Sequence, residues 1–324
     1  MIERKLDIFI SCFAYGGNGG VATVHPDVMS WLWTNTPLMK ADERVGKVAL
    51  KVISDTPITM TRNAAVEIAK NGKYDCLLML DSDMAPDVWL DADKRAKPFW
   101  KSSFDFLFAH WEKGPVAIAA PYCGPPPHPR MGGSENIYAF KWANIETDTA
   151  DDTYRLDQYS REEAAKMGGI QEAAAAATGM ILYDMRCFDL TEPPYFYYEW
   201  EDDGEACAHC GERKRNKAHK KVSTEDVTQT RDMSINGSIK LGYNPLHINW
   251  DAWAGHWKPK CVTRPKFIHV DHVSSRLAAA VNRNHRSREQ LIDFQPKRRF
   301  PFETQANEGL PAMLTDNVDY QNGG

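Results

Sequence analysis

Apolar positions along the chain fall in short blocks separated by helical repeats. Leu6 to Cys12 has the length and composition of a buried strand and opens into Tyr15-Gly16-Gly17-Asn18-Gly19-Gly20. A helical pattern follows around Asp27 to Trp33, and Val48 to Ile53 gives a second strand. Beyond Pro57 the pattern predicts a helix capped by Thr61, with Ala64, Ala65, Ile68 and Ala69 as its apolar face and Gly72 as its close. Cys76 to Leu80 is a fully apolar strand ending at Asp81, and Val116 to Ala120 is another ending at Pro121. The Pro- and Gly-rich stretch Gly124 to Gly133 reads as loop, and Ser160 with Glu163 as a capping box. The alanine run 173–177 scores as helix by propensity, and Gly179 to Tyr183 as strand. Thr224 is placed to cap a helix from Glu225 to Asn236, stopped by Gly237 and followed by strand-like residues Ser238 to Tyr243. From Phe300 onward the chain turns polar, which predicts a loosely ordered tail. Apolar strands alternating with helices predict an α/β fold with a mixed, mostly parallel sheet flanked by helices.

Composition adds boundaries to this picture. The 324 residues, 43% hydrophobic and 26% charged, suit a globular chain with a sizeable core. The net charge of -5 excludes a general polycation, yet it is unevenly spread. Eleven Lys and Arg face only three Asp and Glu between Lys258 and Arg299, and six more basic residues lie between Arg213 and Lys221. Such stretches can meet phosphates, including those of a nucleic acid. The seven cysteines are an odd number without a disulfide framework. With no signal-like segment and no long apolar run, the expectation is a cytoplasmic chain without a membrane span.

The chemistry-bearing signal is Leu77-Leu78-Met79-Leu80-Asp81-Ser82-Asp83. An apolar strand delivers two carboxylates at its carboxyl end, where ligand crevices lie in open α/β sheets. On an extended strand, side chains two apart face the same way, so both acids can face one hard cation such as Mn2+ or Mg2+. Upstream stands Thr61-Arg62-Asn63-Ala64-Ala65, then Gly72-Lys73-Tyr74-Asp75. Downstream, Thr224-Glu225-Asp226-Val227 opens a helix, Gly237 follows, and Gly255-His256 comes later.

In these motifs and their order, over roughly residues 5 to 258, the chain resembles the GT-A glycosyltransferases, most closely the family-two-like group. Thr178-Gly179-Met180-Ile181-Leu182 is similar to that family's Gly-led strand beside the acceptor site. The alanines before it are then strand or loop despite their helix propensity. The resemblance implies a GT-A (Rossmann-like) catalytic domain over 1–258, with an insertion at 201–222 and a basic C-terminal extension and tail over 259–324. It implies a metal-dependent glycosyltransferase that takes its sugar from a nucleotide-diphosphate donor. The region between Gly124 and Gln171 matches no part of the family's pattern, and the interval from Gly237 to Gly255 is longer than usual.

By the same resemblance, Asp83 would ligate the metal, Asp81 would contact the donor ribose or the metal through water, and His256 would be a third protein ligand. The ion would neutralise the departing nucleoside diphosphate. Asp226 would be the general base on the acceptor hydroxyl, with Glu225 its substitute; read alone, the two are ordinary charge compensation at a helix start. Asp55 would face the donor base, Arg62 the base or phosphates, and the loop opened by Tyr15 would let backbone approach the donor.

Further residues carry looser chemistry. Cys207 and Cys210, with His219, have the look of a structural Zn2+ site short of its fourth ligand. His269 and Asp271 compete with His256 for the third metal position, and Trp200 and Trp253 are candidates for stacking on a sugar. The acceptor stays open: hydroxymethylated DNA bases, a glycan, a protein or a small molecule. Two other functions fit the pattern, a nucleotidyltransferase of related α/β fold and a non-catalytic nucleotide-sugar-binding module. The lack of Lys or Arg beside Gly16 to Gly20 counts against the first, and the intact acid pairs against the second.

Overall fold

A computed structural model describes residues 4–14, 22–54, 58–87, 89–91, 94–122, 137–142, 156–200 and 221–256. In chain order the elements begin with β1 (Leu6–Phe13), α1 (Pro26–Ala41), β2 (Val45–Ile53), α2 (Ile58–Asn71), β3 (Cys76–Asp81), β4 (Met84–Ala85), α3 (Phe99–His110) and β5 (Ala117–Ala119). They continue with β6 (Ala139–Trp142), β7 (Leu156–Gln158), α4 (Arg161–Lys166), β8 (Ile170–Glu172), β9 (Ala175–Ala176) and β10 (Met180–Asp184). The last are β11 (Glu199–Trp200), β12 (Lys221–Ser223), α5 (Glu225–Leu241), β13 (Leu246–Asn249) and β14 (Gly255–His256).

The central sheet has seven strands in the order β2-β1-β3-β10-β5-β13-β8. β2, β1, β3, β5 and β13 run one way; β10 runs against both its neighbours, and β8 against β13. This is the mixed, mostly parallel, Rossmann-like α/β architecture that the strand–helix alternation predicts. Alternation along the strands splits the core in two. Ile8, Ile10, Cys12, Leu78 and Leu80 pack with α1 and α3, whereas Phe9, Phe13, Leu77 and Met79 pack with α2 and Met233 of α5. Each large apolar side chain buried this way contributes about 1.5–3 kcal/mol.

Several local expectations are corrected. Helix α1 runs past Trp33 to Ala41, because Leu32, Asn35 and Met39 continue its buried stripe. Pro37, inside it, lacks the N–H that would meet the carbonyl of Trp33, a residue on the solvent side. Thr61 does not cap α2; the helix begins at Ile58 and Thr61 is buried within it. The alanines 173–177 are all buried and not helical. Their N–H groups are claimed by distant carbonyls, Ala173 by Leu246 (3.1 Å), Ala174 by Phe140 (2.9 Å) and Ala177 by Tyr138 (3.2 Å). Tertiary ladder bonds and burial outweigh a helix propensity worth tenths of a kcal/mol per residue.

Gly237 does not end α5. It lies inside the helix, where a Cβ would come 2.3 Å from Cδ of Pro245, so the glycine permits a close approach. The helix stops at Gly242, whose φ of 78° is the left-handed conformation of a C-terminal cap. Residues 238–241, read as strand-like, are its last turn. The Ser160–Glu163 capping box is present at the start of α4, with Glu163 N–H on Ser160 Oγ (3.2 Å) and Ser160 N–H on Glu163 Oε2 (2.9 Å).

Candidate active site

The carboxyl end of β3 is fixed on several sides. Asp81 N–H donates to the Gly179 carbonyl (2.8 Å), Ser82 N–H to Phe13 (3.0 Å), and His25 N–H to the Ser82 carbonyl (2.8 Å). The strand ends at Asp81, and Ser82 and Asp83 form a turn before β4. The expected alternation across 81 and 83 therefore breaks, and the two acids meet different partners.

Asp83 meets His256. β4 pairs antiparallel with β14, setting Met84 opposite His256 and Ala85 opposite Gly255. His256 Nε2 then lies 3.2 Å from Asp83 Oδ2. Tyr122 and Tyr138 close over the imidazole edge-on, with ring centroids 5.3 and 6.3 Å away. The Tyr122 hydroxyl accepts from Gly179 N–H (3.2 Å), which links this aromatic wall to the residue that holds Asp81.

Asp81 meets Arg62. The guanidinium Nη2 donates to both Asp81 oxygens (3.0 and 2.9 Å), and Nη1 donates to Glu225 Oε1 (2.8 Å). Asp226 Oδ2 stands 4.0 Å from Nη1, and its Oδ1 accepts from Val227 N–H (2.9 Å). Arg62 is only 3% exposed, with Phe13 and Phe196 at 5.8 and 5.9 Å from the guanidinium carbon. Burial works against its charge, but Asp81, Glu225 and Asp226 outweigh burial and raise its pKa above the ordinary value. Burial pushes Asp81 up to about 6; Arg62 pulls it down, and Asp83 and Asp226 push it up. Burial, then Asp81 and Asp83, push the neighbouring Cys12 thiol up to about 12. Tyr198 hydrogen-bonds Glu225, and burial with the Glu225 charge pushes its hydroxyl up to about 12.

Arg62, Asp81, Asp83, Glu225, Asp226 and His256 thus converge at one end of the sheet. Arg62 faces these carboxylates, where the resemblance would have it face a donor. Trp253 is buried against Trp250 (5.7 Å between rings) and belongs to the core. Tyr15, Asp55, Cys207, Cys210, His219, His269, Asp271 and the basic stretches 213–220 and 258–299 lie outside the described residues. Four contributors carry no motif in the sequence. His25 caps α1, accepting from Asp27 N–H (3.2 Å), and feels the Asp83 charge. Tyr122 and Tyr138 flank His256, and Tyr198 holds Glu225. Asn63, adjacent to Arg62, bonds the Phe196 backbone in both directions (2.8 and 3.2 Å) and so fixes the segment bearing Tyr198.

Asp81, Glu225 and Asp226 face one guanidinium and Asp83 lies within reach of Asp81, so negative charge exceeds positive here and the cleft favours a cation. Among the described residues, no group of three His, Cys, Asp or Glu side chains is arranged to hold a metal ion. Asp83 and His256 offer one hard oxygen and one imidazole nitrogen. That pair would suit a hard divalent ion such as Mn2+ or Mg2+ that takes its remaining ligands from a substrate and water. No helix among the described residues is long and apolar enough to cross a membrane.

No protein-family model matches the chain, and no curated protein is similar to it in sequence. Solved structures give distant likenesses. The A197 protein from STIV is 12% identical, with a TM-score of 0.41 over 79% of this chain and 87% of that one. A protein from Bacillus anthracis assigned as a glucose-1-phosphate thymidylyltransferase, in complex with sucrose, is 14% identical. Its TM-score is 0.31, over 86% of this chain and 78% of that one. Likenesses this distant carry no argument about activity, and the fold rests on the chain's own sheet.

Proposed function

We propose that this chain is a metal-dependent glycosyltransferase, moving a sugar from a nucleotide-diphosphate-sugar to an acceptor hydroxyl. The observation that carries the reading is the 3.2 Å approach of Asp83 to His256, within the cleft that also holds Asp226. Asp83 and His256 would hold Mn2+ or Mg2+. When bound, the ion supplies positive charge against the diphosphate leaving group.

The chain's own residues supply the rest. Asp226 lies in the first turn of helix α5, 4.0 Å from Arg62 Nη1, and its carboxylate is placed to accept a proton from an acceptor hydroxyl. As the acceptor oxygen bonds to the anomeric carbon, the bond from that carbon to the diphosphate oxygen breaks. Its electron pair leaves with the nucleoside diphosphate, and the hydroxyl proton passes to Asp226. Tyr122 and Tyr138 form an apolar wall beside His256 that excludes water from this side of the cleft.

The test is a screen of nucleotide-diphosphate-sugars with Mn2+, read by mass spectrometry. Release of nucleoside diphosphate and free or transferred sugar, abolished in Asp83→Ala and slowed about 100-fold or more in Asp226→Asn, supports the reading. Formation of pyrophosphate from a sugar phosphate and a nucleoside triphosphate would replace it with nucleotidyl transfer. Donor binding without any turnover would replace it with a binding module.

A further inference from the structure

We infer that Arg62 is a positioning residue that divides the four acids of the cleft into two that are held and two that are presented. This inference rests on the transfer reading above and assigns roles within the same site. Arg62 is buried in α2 and joins the end of β3 to the start of α5. Its hydrogen bonds are spent on Asp81, through both oxygens, and on Glu225, which also receives Tyr198. Asp83 and Asp226, each next along the chain from a held residue or one beyond it, are left to face the reacting groups.

The geometry explains why each acid pair is needed as a pair. A carboxylate gripped on both oxygens by a guanidinium is a poor metal ligand, so Asp81 anchors the turn from which Asp83 projects. Glu225 takes Nη1 at 2.8 Å, while Asp226 stands 4.0 Å off, beyond hydrogen-bonding range, with its side chain the more exposed of the two (14% against 9%). With Nη2 on Asp81 and Nη1 on Glu225, the planar guanidinium also fixes the distance between the metal side and the base side. A lysine, a single point charge, cannot reproduce that grip.

Asn63 supports the same arrangement one residue later. Its amide donates to the Phe196 carbonyl and accepts from the Phe196 N–H, so the peptide leading to Tyr198 is seated on α2. Arg62 directly, and Asn63 through the Phe196 peptide and Tyr198, orient Glu225 from two directions.

The experiment compares Arg62→Lys, Asp226→Asn and their combination in the full chain, using Mn2+ and the donor that the wild type turns over. Arg62→Lys is expected to lower kcat about 100-fold, the scale of a misplacement near 1 Å, with donor KM changed by less than about threefold. The double variant is expected to be less than about tenfold slower than Asp226→Asn alone, because the base-side effect of Arg62 vanishes without a base and only the Asp83 side is left to position. A purely structural arginine would lower both backgrounds equally, and that additive result would overturn the inference. Should Arg62→Lys fail to fold, Glu225→Gln serves, with a loss of kcat that likewise vanishes in the Asp226→Asn background. Mn2+ binding without donor gives a second arm. Asp83→Asn is expected to weaken it by about 100-fold or more and Asp81→Asn by about tenfold. Equal losses would make Asp81 a ligand and overturn the division of roles while leaving the transfer reading standing. A wild-type chain that neither binds Mn2+ nor cleaves any sugar nucleotide overturns both.

Discussion

Asp83 Oδ2 and His256 Nε2 lie 3.2 Å apart although 173 residues separate them in sequence. The contact is made by a short pair of strands, β4 and β14, outside the main sheet. Both side chains keep some exposure, 23% for Asp83 and 12% for His256, so the pair is suited to a ligand more than to holding the fold together.

Replacing either partner should therefore separate activity from stability. Asp83→Asn is expected to lower metal-dependent turnover by about 100-fold or more while shifting unfolding free energy by less than about 1 kcal/mol. His256→Asp, which exchanges an imidazole for a hard oxygen, is expected to move the metal preference from Mn2+ toward Mg2+. Turnover against a metal series, with urea denaturation of each variant, checks both outcomes.

Stability should fall in mild acid because of His247. Burial lowers its pKa below 6.5; the Pro245 carbonyl and Glu172 oppose this weakly, and His110 adds to it. The folded state then binds fewer protons than the unfolded state just below pH 6.5, so this contribution is complete above that pH and is lost as pH falls. The slope for one such group cannot exceed about 1.4 kcal/mol per pH unit. His247→Gln is expected to flatten the urea midpoint between pH 5 and 7 relative to the wild type.

Gly237→Ala should destabilise the protein by about 1–3 kcal/mol, because the new methyl meets the Pro245 ring at 2.3 Å inside a packed helix–strand contact. Gly242→Ala should cost about 1–2 kcal/mol for a different reason, the left-handed φ of 78° with open space around it. Calorimetric Tm values for the two variants and for Gly169→Ala, another positive-φ glycine without near neighbours, should rank Gly237→Ala lowest where overpacking dominates.

Asn63→Ala leaves the N–H and carbonyl of Phe196 without their side-chain partner and should destabilise by about 1–3 kcal/mol. Hydrogen exchange should quicken at residues 195–198 well before it changes in α3. Uniform quickening across the chain would assign Asn63 a role in the core alone.

The parts of the fold legible in sequence are those written in local pattern. β3 and its acids stand out because a buried strand needs an unbroken apolar run and ends where charge begins. The capping box at Ser160 is likewise a purely local bond pair. The alanines 173–177 mislead because their backbone partners, Leu246, Phe140 and Tyr138, are remote. Gly237 reads as a stop because nothing nearby in sequence reveals Pro245 packed against it. In the site, the carboxylates and His256 carry recognisable chemistry, whereas Tyr122 and Tyr138 matter only through the β4–β14 pair that brings His256 to them. Arg62 was visible as a charged residue near the motif, but its direction depends on Glu225, 163 positions away.

The late arrival of β14 has a consequence for synthesis. A ribosome adding about 5–20 residues per second needs roughly 10–35 s to travel from Asp83 to His256. Through that interval a nascent chain can pair β1, β2 and β3, yet Asp83 has no imidazole beside it. The Asp83–His256 contact therefore forms only after the rest of the central sheet has been made, and fragments that stop short of Gly255 lack it.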